Sequence, residues 1–136
     1  MRPDAVYDTN VIVSAVLKPG SIPASLVALA MKGSVRLFLS PDILEEYREV
    51  LKRPRFGFHP DTVAIFLREL EQTAIMVSPA KRVAHALDEA DNRFLECAEE
   101  ARANYLVTGN RKDFPFAEFA GAKIVSPAEF AALLLG

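Results

Sequence analysis

Apolar residues in this chain fall into two kinds of run. Ala5-Val6-Tyr7, Val35-Arg36-Leu37-Phe38-Leu39, Tyr105-Leu106-Val107 and Lys123-Ile124-Val125 are short and mostly unbroken, as expected for strands buried on both faces. The other runs are longer. Val11 to Leu17 is almost wholly apolar, Ile22 to Met31 is a second helix ending at Gly33, and helical spacing continues over Pro41 to about Lys52, Asp61 to Glu71, Asp91 to Ala103 and Ala128 to Leu135. Ser21 and Ser40 are placed to cap helices, with Pro41 at a first helical position. Ser126-Pro127 repeats that signal, while Pro19-Gly20 and Pro54 interrupt. Ala74 to Val77 is strand-like. Strands alternating with helices predict an α/β domain with a parallel sheet covered on both faces. Without a repeat or linker, residues 1–136 read as one domain.

Composition narrows the class. Hydrophobic residues make up 51% of the chain, which excludes a disordered polymer. The single Cys97 excludes an internal disulfide framework and a cysteine-based zinc site. No apolar run reaches membrane-spanning length and no signal peptide is visible, so a cytoplasmic protein without a membrane partner is expected. Net charge is −2, so any nucleic-acid binding must rest on a local basic patch or a metal.

Four polar points stand out against this pattern. In open α/β sheets ligands bind beyond the carboxyl ends of the strands. Asp8 lies just past the first strand, and Asn110 just past the strand ending at Val107. A lone Asp at a strand-to-helix junction is ordinarily a cap. Asn10, two residues on, could instead bond its carboxylate or a metal-held water. On the helix from Asp42, Ile43, Leu44, Tyr47, Val50 and Leu51 form one stripe. Glu45 and Glu49 fall roughly 160° from its centre, whereas Glu46 falls about 100° away, on its shoulder. On the helix of Phe94, Leu95, Ala98 and Ala101, Asp91 lands about 20° from the stripe centre, while Asn92, Glu96, Glu99 and Glu100 point away. Asp88 and Glu89 read as solvated. Gly109 permits a turn, and Asp113 is a further acid in the same loop. Acids converging on one point imply a positive species there, most simply a divalent metal.

Tyr7-Asp8-Thr9-Asn10-Val11 with Ser14, Leu44 to Leu51, Asp91-Asn92-Arg93-Phe94-Leu95 and Tyr105 to Asn110 together resemble the PIN-domain family, in particular the short bacterial and archaeal toxin components of toxin–antitoxin pairs, the VapC-like ribonucleases. The resemblance spans nearly the whole chain. It implies a three-layer α/β/α sandwich and a metal-dependent ribonuclease. It places the family's first three acids on Asp8, Glu46 and Asp91, with Asn110 where the fourth is often Asp. Asp8 and Asp91 are then the expected direct ligands, Glu46 acts through water, and Asn110 and Asp113 are further candidates. Hard oxygen donors suit Mg²⁺ or Mn²⁺. Asn10, Ser14, Thr108, Lys52, Arg53, Arg55, Arg111 and Lys112 are candidate substrate contacts, while Phe56 and Phe58 could stack on bases, with core packing the preferred reading. His59 and His85 have no assigned role. RNA and a cognate antitoxin are the implied partners. A homodimer through the apolar 130–135 segment or the Ile22 to Met31 helix is also expected.

Two other readings stay open. A phosphotransferase of the haloacid-dehalogenase type also has an Asp after its first strand, but wants a second acid where Asn10 stands. A catalytically weakened PIN domain could bind RNA or protein without cutting.

Overall fold

The computed structural model describes residues 2–135, and a six-stranded sheet forms its centre. The elements are β1 (Asp4–Tyr7), α1 (Thr9–Leu17), α2 (Ile22–Met31), β2 (Arg36–Leu39), α3 (Pro41–Leu51), α4 (Pro60–Thr73), β3 (Ile75–Met76), α5 (Asn92–Ala101), β4 (Tyr105–Val107), β5 (Glu118–Phe119), β6 (Ala122–Val125) and α6 (Pro127–Leu135). Sheet order is β3-β2-β1-β4-β6-β5, parallel except for the β5–β6 hairpin. The helices flank the sheet in an α/β/α arrangement. No single helix among the described residues is long and apolar enough to cross a membrane.

Local chemistry sets the helix starts. Ser21 accepts from the Ala24 amide at 3.3 Å and Ser40 from the Ile43 amide at 3.2 Å. Ser126 and Glu129 bond each other's backbone N–H at 3.1 and 2.8 Å, a reciprocal cap. α4 begins at Pro60, a residue earlier than its pattern predicts, because the His59 ring accepts from the Asp61 amide at 3.0 Å. β5 has no apolar run to announce it. It exists because Ala120 and Gly121, at φ of 50° and 88°, turn the chain back onto β6.

β1 is the pivot of the sheet. The chain leaves it on one side toward β2 and β3, then returns on the other side as β4 and β6. The carboxyl ends of β1 and β4 therefore flank the point where strand order reverses, and a crevice opens there. Two buried tyrosines hold it. The Tyr7 hydroxyl donates to the Leu26 carbonyl at 3.0 Å, and the Tyr47 hydroxyl donates to the carbonyl of Tyr7 itself. Both rings are fully buried, which pushes each phenol's pKa up.

α5 corrects the helical-wheel reading. Asn92 and Glu96, expected to face solvent, are 1% and 3% exposed. Residues 78–88 wrap across that side and use its polar groups. Asn92 Oδ1 accepts from the His85 and Ala86 amides at 3.0 and 2.8 Å, and Glu96 Oε2 accepts from the Val83 amide at 2.9 Å. Arg82 and Arg93 pair with Glu96 at 3.2 and 2.8 Å. A wheel computed from one helix cannot register an irregular strap whose backbone needs acceptors. Asn92→Ala should therefore lower stability by about 1–3 kcal/mol and speed amide exchange in 80–88 selectively. Hydrogen exchange followed by mass spectrometry checks this, and uniform exchange would contradict the clasp.

Candidate active site

Asp8 sits one residue past β1, is 4% exposed, and is the N-cap of α1. Cap and site residue are thus the same group. Its Oδ1 accepts from the Thr9 amide at 2.7 Å. Its Oδ2 accepts from Asn10 Nδ2 at 3.1 Å and from the Thr108 hydroxyl at 2.8 Å. Asn10 also reaches across to β4, its Oδ1 accepting from the Gly109 amide at 2.8 Å. Glycine at 109 answers to that approach, since a Cβ there would lie 3.2 Å from Asn10 Oδ1.

Glu46 is half-buried on the shoulder of α3, and the Thr9 hydroxyl donates to its Oε2. Sequence reasoning missed Thr9, which ties the first two acids together. Its only signal was its place between Asp8 and Asn10. Asp91 is not inside a helix. It ends a 3-10 turn (Glu89–Asp91) directly before α5, makes no capping bond, and is half-buried. Asp8, Glu46 and Asp91 line one cleft of about 310 Å³ with Asn10, Ser14, Arg53, Arg55 and Phe56.

The other candidates scatter. Thr108 is wholly buried, so it positions Asp8 rather than touching substrate; its oxygen also accepts from the Asn110 amide at 3.0 Å. Asn110 is exposed and does not line the cleft. Asp113, three residues on, is half-buried and adds its charge to both Asp8 and Asp91. Arg111 turns away to pair with Glu129 at 3.0 Å. Lys52 and Lys112 are exposed and line no part of the cleft. Asp88 is exposed, as expected, and caps the 3-10 turn through the Ala90 amide at 3.0 Å. Its charge nonetheless reaches Glu46 and Asp91.

Electrostatics follow from burial of like charges. Burial raises Asp8 to about 6, against the bonds from Thr108 and Thr9, with Glu46 and Asp113 adding to the rise. Asp91 rises to about 7, first through burial and then through Asp8, Asp113, Asp88 and Glu46. Burial also raises Glu46, partly offset by Thr9 and the nearby Arg53. The donors are hard oxygens carrying excess negative charge, which a small dication would neutralise. No three Asp, Glu, His or Cys side chains among the described residues stand close enough to share one ion. One or two direct carboxylates completed by water, as Mg²⁺ prefers, fit that spacing.

The family description "PIN domain" matches residues 4–112, and the chain belongs to the PIN-domain family, whose members are generally nucleases and usually use divalent metals. A relative in Methanocaldococcus jannaschii, the uncharacterized protein MJ1680, is 27% identical over 109 residues, covering 78% of this chain and 70% of the relative.

The raised carboxyls make stability depend on pH. Asp8 and Asp91 hold protons more tightly folded than at their ordinary value of 3.8. The stability they contribute is therefore complete below that value and lost as pH rises through about 6 and about 7. The melting temperature of metal-free protein should fall from mildly acidic to mildly alkaline pH. Asp8→Asn should flatten the fall and be neutral or slightly stabilising on the alkaline side. Equal slopes for wild type and variant would contradict the shifts.

Proposed function

We propose that the chain is a divalent-metal-dependent endoribonuclease, the toxin of a toxin–antitoxin pair. The observation that carries the catalytic part is the convergence of Asp8, Glu46 and Asp91 in one cleft beside two arginines. Asp8 and Asp91 would hold Mg²⁺ or Mn²⁺. When bound, the ion supplies acidified water and Lewis-acid stabilisation of charge developing on the phosphate. Glu46 uses Oε2 for Thr9, leaving Oε1 to orient the attacking water and accept its proton. Burial raises its pKa, which makes it a stronger base than an exposed glutamate. Asn10 and Ser14 border the same space and can hold the strand, while Arg53 attracts its phosphates.

The toxin role rests on resemblance to the short bacterial and archaeal members of the family. A neighbouring gene for a small DNA-binding protein, binding this chain when co-expressed, would support it. Exposed Ile22 on α2 and Leu133 on α6, 46% and 51% accessible, support a homodimer. A monomer by light scattering at micromolar concentration would contradict that.

Asn110 favours the second reading, a weakened PIN domain that binds without cutting, because it brings no charge to a position often held by Asp. Mutation separates the two. Purified protein should cleave RNA with Mn²⁺ or Mg²⁺ and stop in EDTA. Asp8→Asn should abolish cleavage by several orders of magnitude with the fold intact, and Asp113→Asn should weaken it more than Asn110→Ala. Asn110→Asp should preserve or raise activity. If only Asn110→Asp cuts, the chain is a binder; if neither cuts, the nuclease reading fails.

A further inference from the structure

Residues 53–58 form a feature that the acid chemistry does not use. Pro54–Phe56 is a 3-10 turn closed by Gly57 at φ 66°, a left-handed conformation that returns the chain so that Phe58 lies alongside Phe56. The two rings are nearly parallel, 13° apart in plane and 5.7 Å between centroids, and the Arg55 guanidinium carbon lies 4.8 Å over the Phe56 ring. Both rings are only half-buried. Arg53, Arg55 and Phe56 line the same cleft as the three acids. Among the described residues neither arginine has a carboxylate within ion-pair distance; Arg2, Arg68 and Arg102 share that property, but only Arg53 and Arg55 line the cleft.

Both rings pack against the core, yet Phe56 also opens onto the acidic cleft with Arg53 and Arg55 beside it. We propose that Arg55 and Phe56 form a nucleobase-stacking subsite at the mouth of the cleft, where one unpaired base of the bound strand lies on the ring and guanidinium. Arg53 holds the adjoining phosphate. This rests on the nuclease reading for its occupant and adds a determinant that the acids cannot supply. Every base presents a π face, so the subsite favours a strand with free bases over a bare sugar–phosphate chain, and purines over pyrimidines. A base locked in a duplex cannot reach it.

The chain contains no tryptophan, which makes the test direct. Phe56→Trp keeps an aromatic face and places a single indole at the subsite. In EDTA, titration with a short single-stranded oligoadenylate should quench that fluorescence, and an abasic ribose–phosphate strand of equal length should not. By anisotropy, the wild type should bind the oligoadenylate roughly tenfold more tightly than the abasic strand. Phe56→Leu should erase that ratio while leaving abasic binding unchanged, and Arg53→Gln should weaken both strands alike. Absence of quenching, an equal affinity of the wild type for both strands, or no measurable binding of either overturns the subsite. Metal-dependent cleavage is scored separately. A chain that cuts RNA but shows no base dependence loses the subsite alone, and one that shows base-dependent quenching but never cuts loses only the nuclease reading.

Discussion

The structure is organised around a single desolvated carboxylate. Asp8 leaves water at the end of the central strand, and an ionisable group in that position is tolerable only if its oxygens are fully engaged. Its three donors come from the first residue of α1, from Asn10, and from Thr108 at the end of β4. Satisfying Asp8 therefore fixes where α1 begins, holds β4 against β1, and sets the path of the 108–110 loop. Tyr47 adds the same discipline from α3 by bonding the carbonyl immediately before Asp8. Thr9 then places Glu46 as a consequence of placing Asp8.

The acids of this chain divide into two populations by their partners. Glu96 is as buried as Asp8, but two arginines and a backbone amide neutralise it, so its function is to hold residues 78–88. Glu129 caps α6 and takes Arg111 with it. Asp91 has neither a cation nor a capping donor, and Asp8 has donors but no cation. Burial is thus a poor guide to chemistry by itself. The distinguishing property is carboxylates without an ion-pair partner gathered in a partly desolvated cleft, as at the strand-order reversal.

Much of this was visible in the sequence. Unbroken Val, Leu and Ile runs announced the parallel strands, and Ser-Pro pairs announced α3 and α6, because both are local. Helical geometry placed Glu46 correctly at the shoulder of α3, where the helix packs regularly. It misplaced Asn92 and Glu96, because the strap that covers them has no periodicity. Thr108 read as a substrate contact and proved to be wholly internal, since strand neighbours on both sides enclose it. Arg111 read as a phosphate contact until Glu129, eighteen residues later, supplied an intramolecular partner. The errors share a cause: each depended on a partner outside the helix or strand in which the residue was read, and no pattern within one element encodes it.

That distance has a consequence for how the protein comes into being. The bond that completes the cleft joins residues 8 and 108, a hundred positions apart, and the first and fourth strands meet only in that closing. Non-local strand pairing must meet the entropy of closing the intervening chain before it gains contacts. During synthesis, β1, α1 and α3 emerge and can collapse while Asp8 still lacks its Thr108 donor. A chain under translation therefore carries Asp8 long before the Thr108 donor that completes its hydrogen bonds.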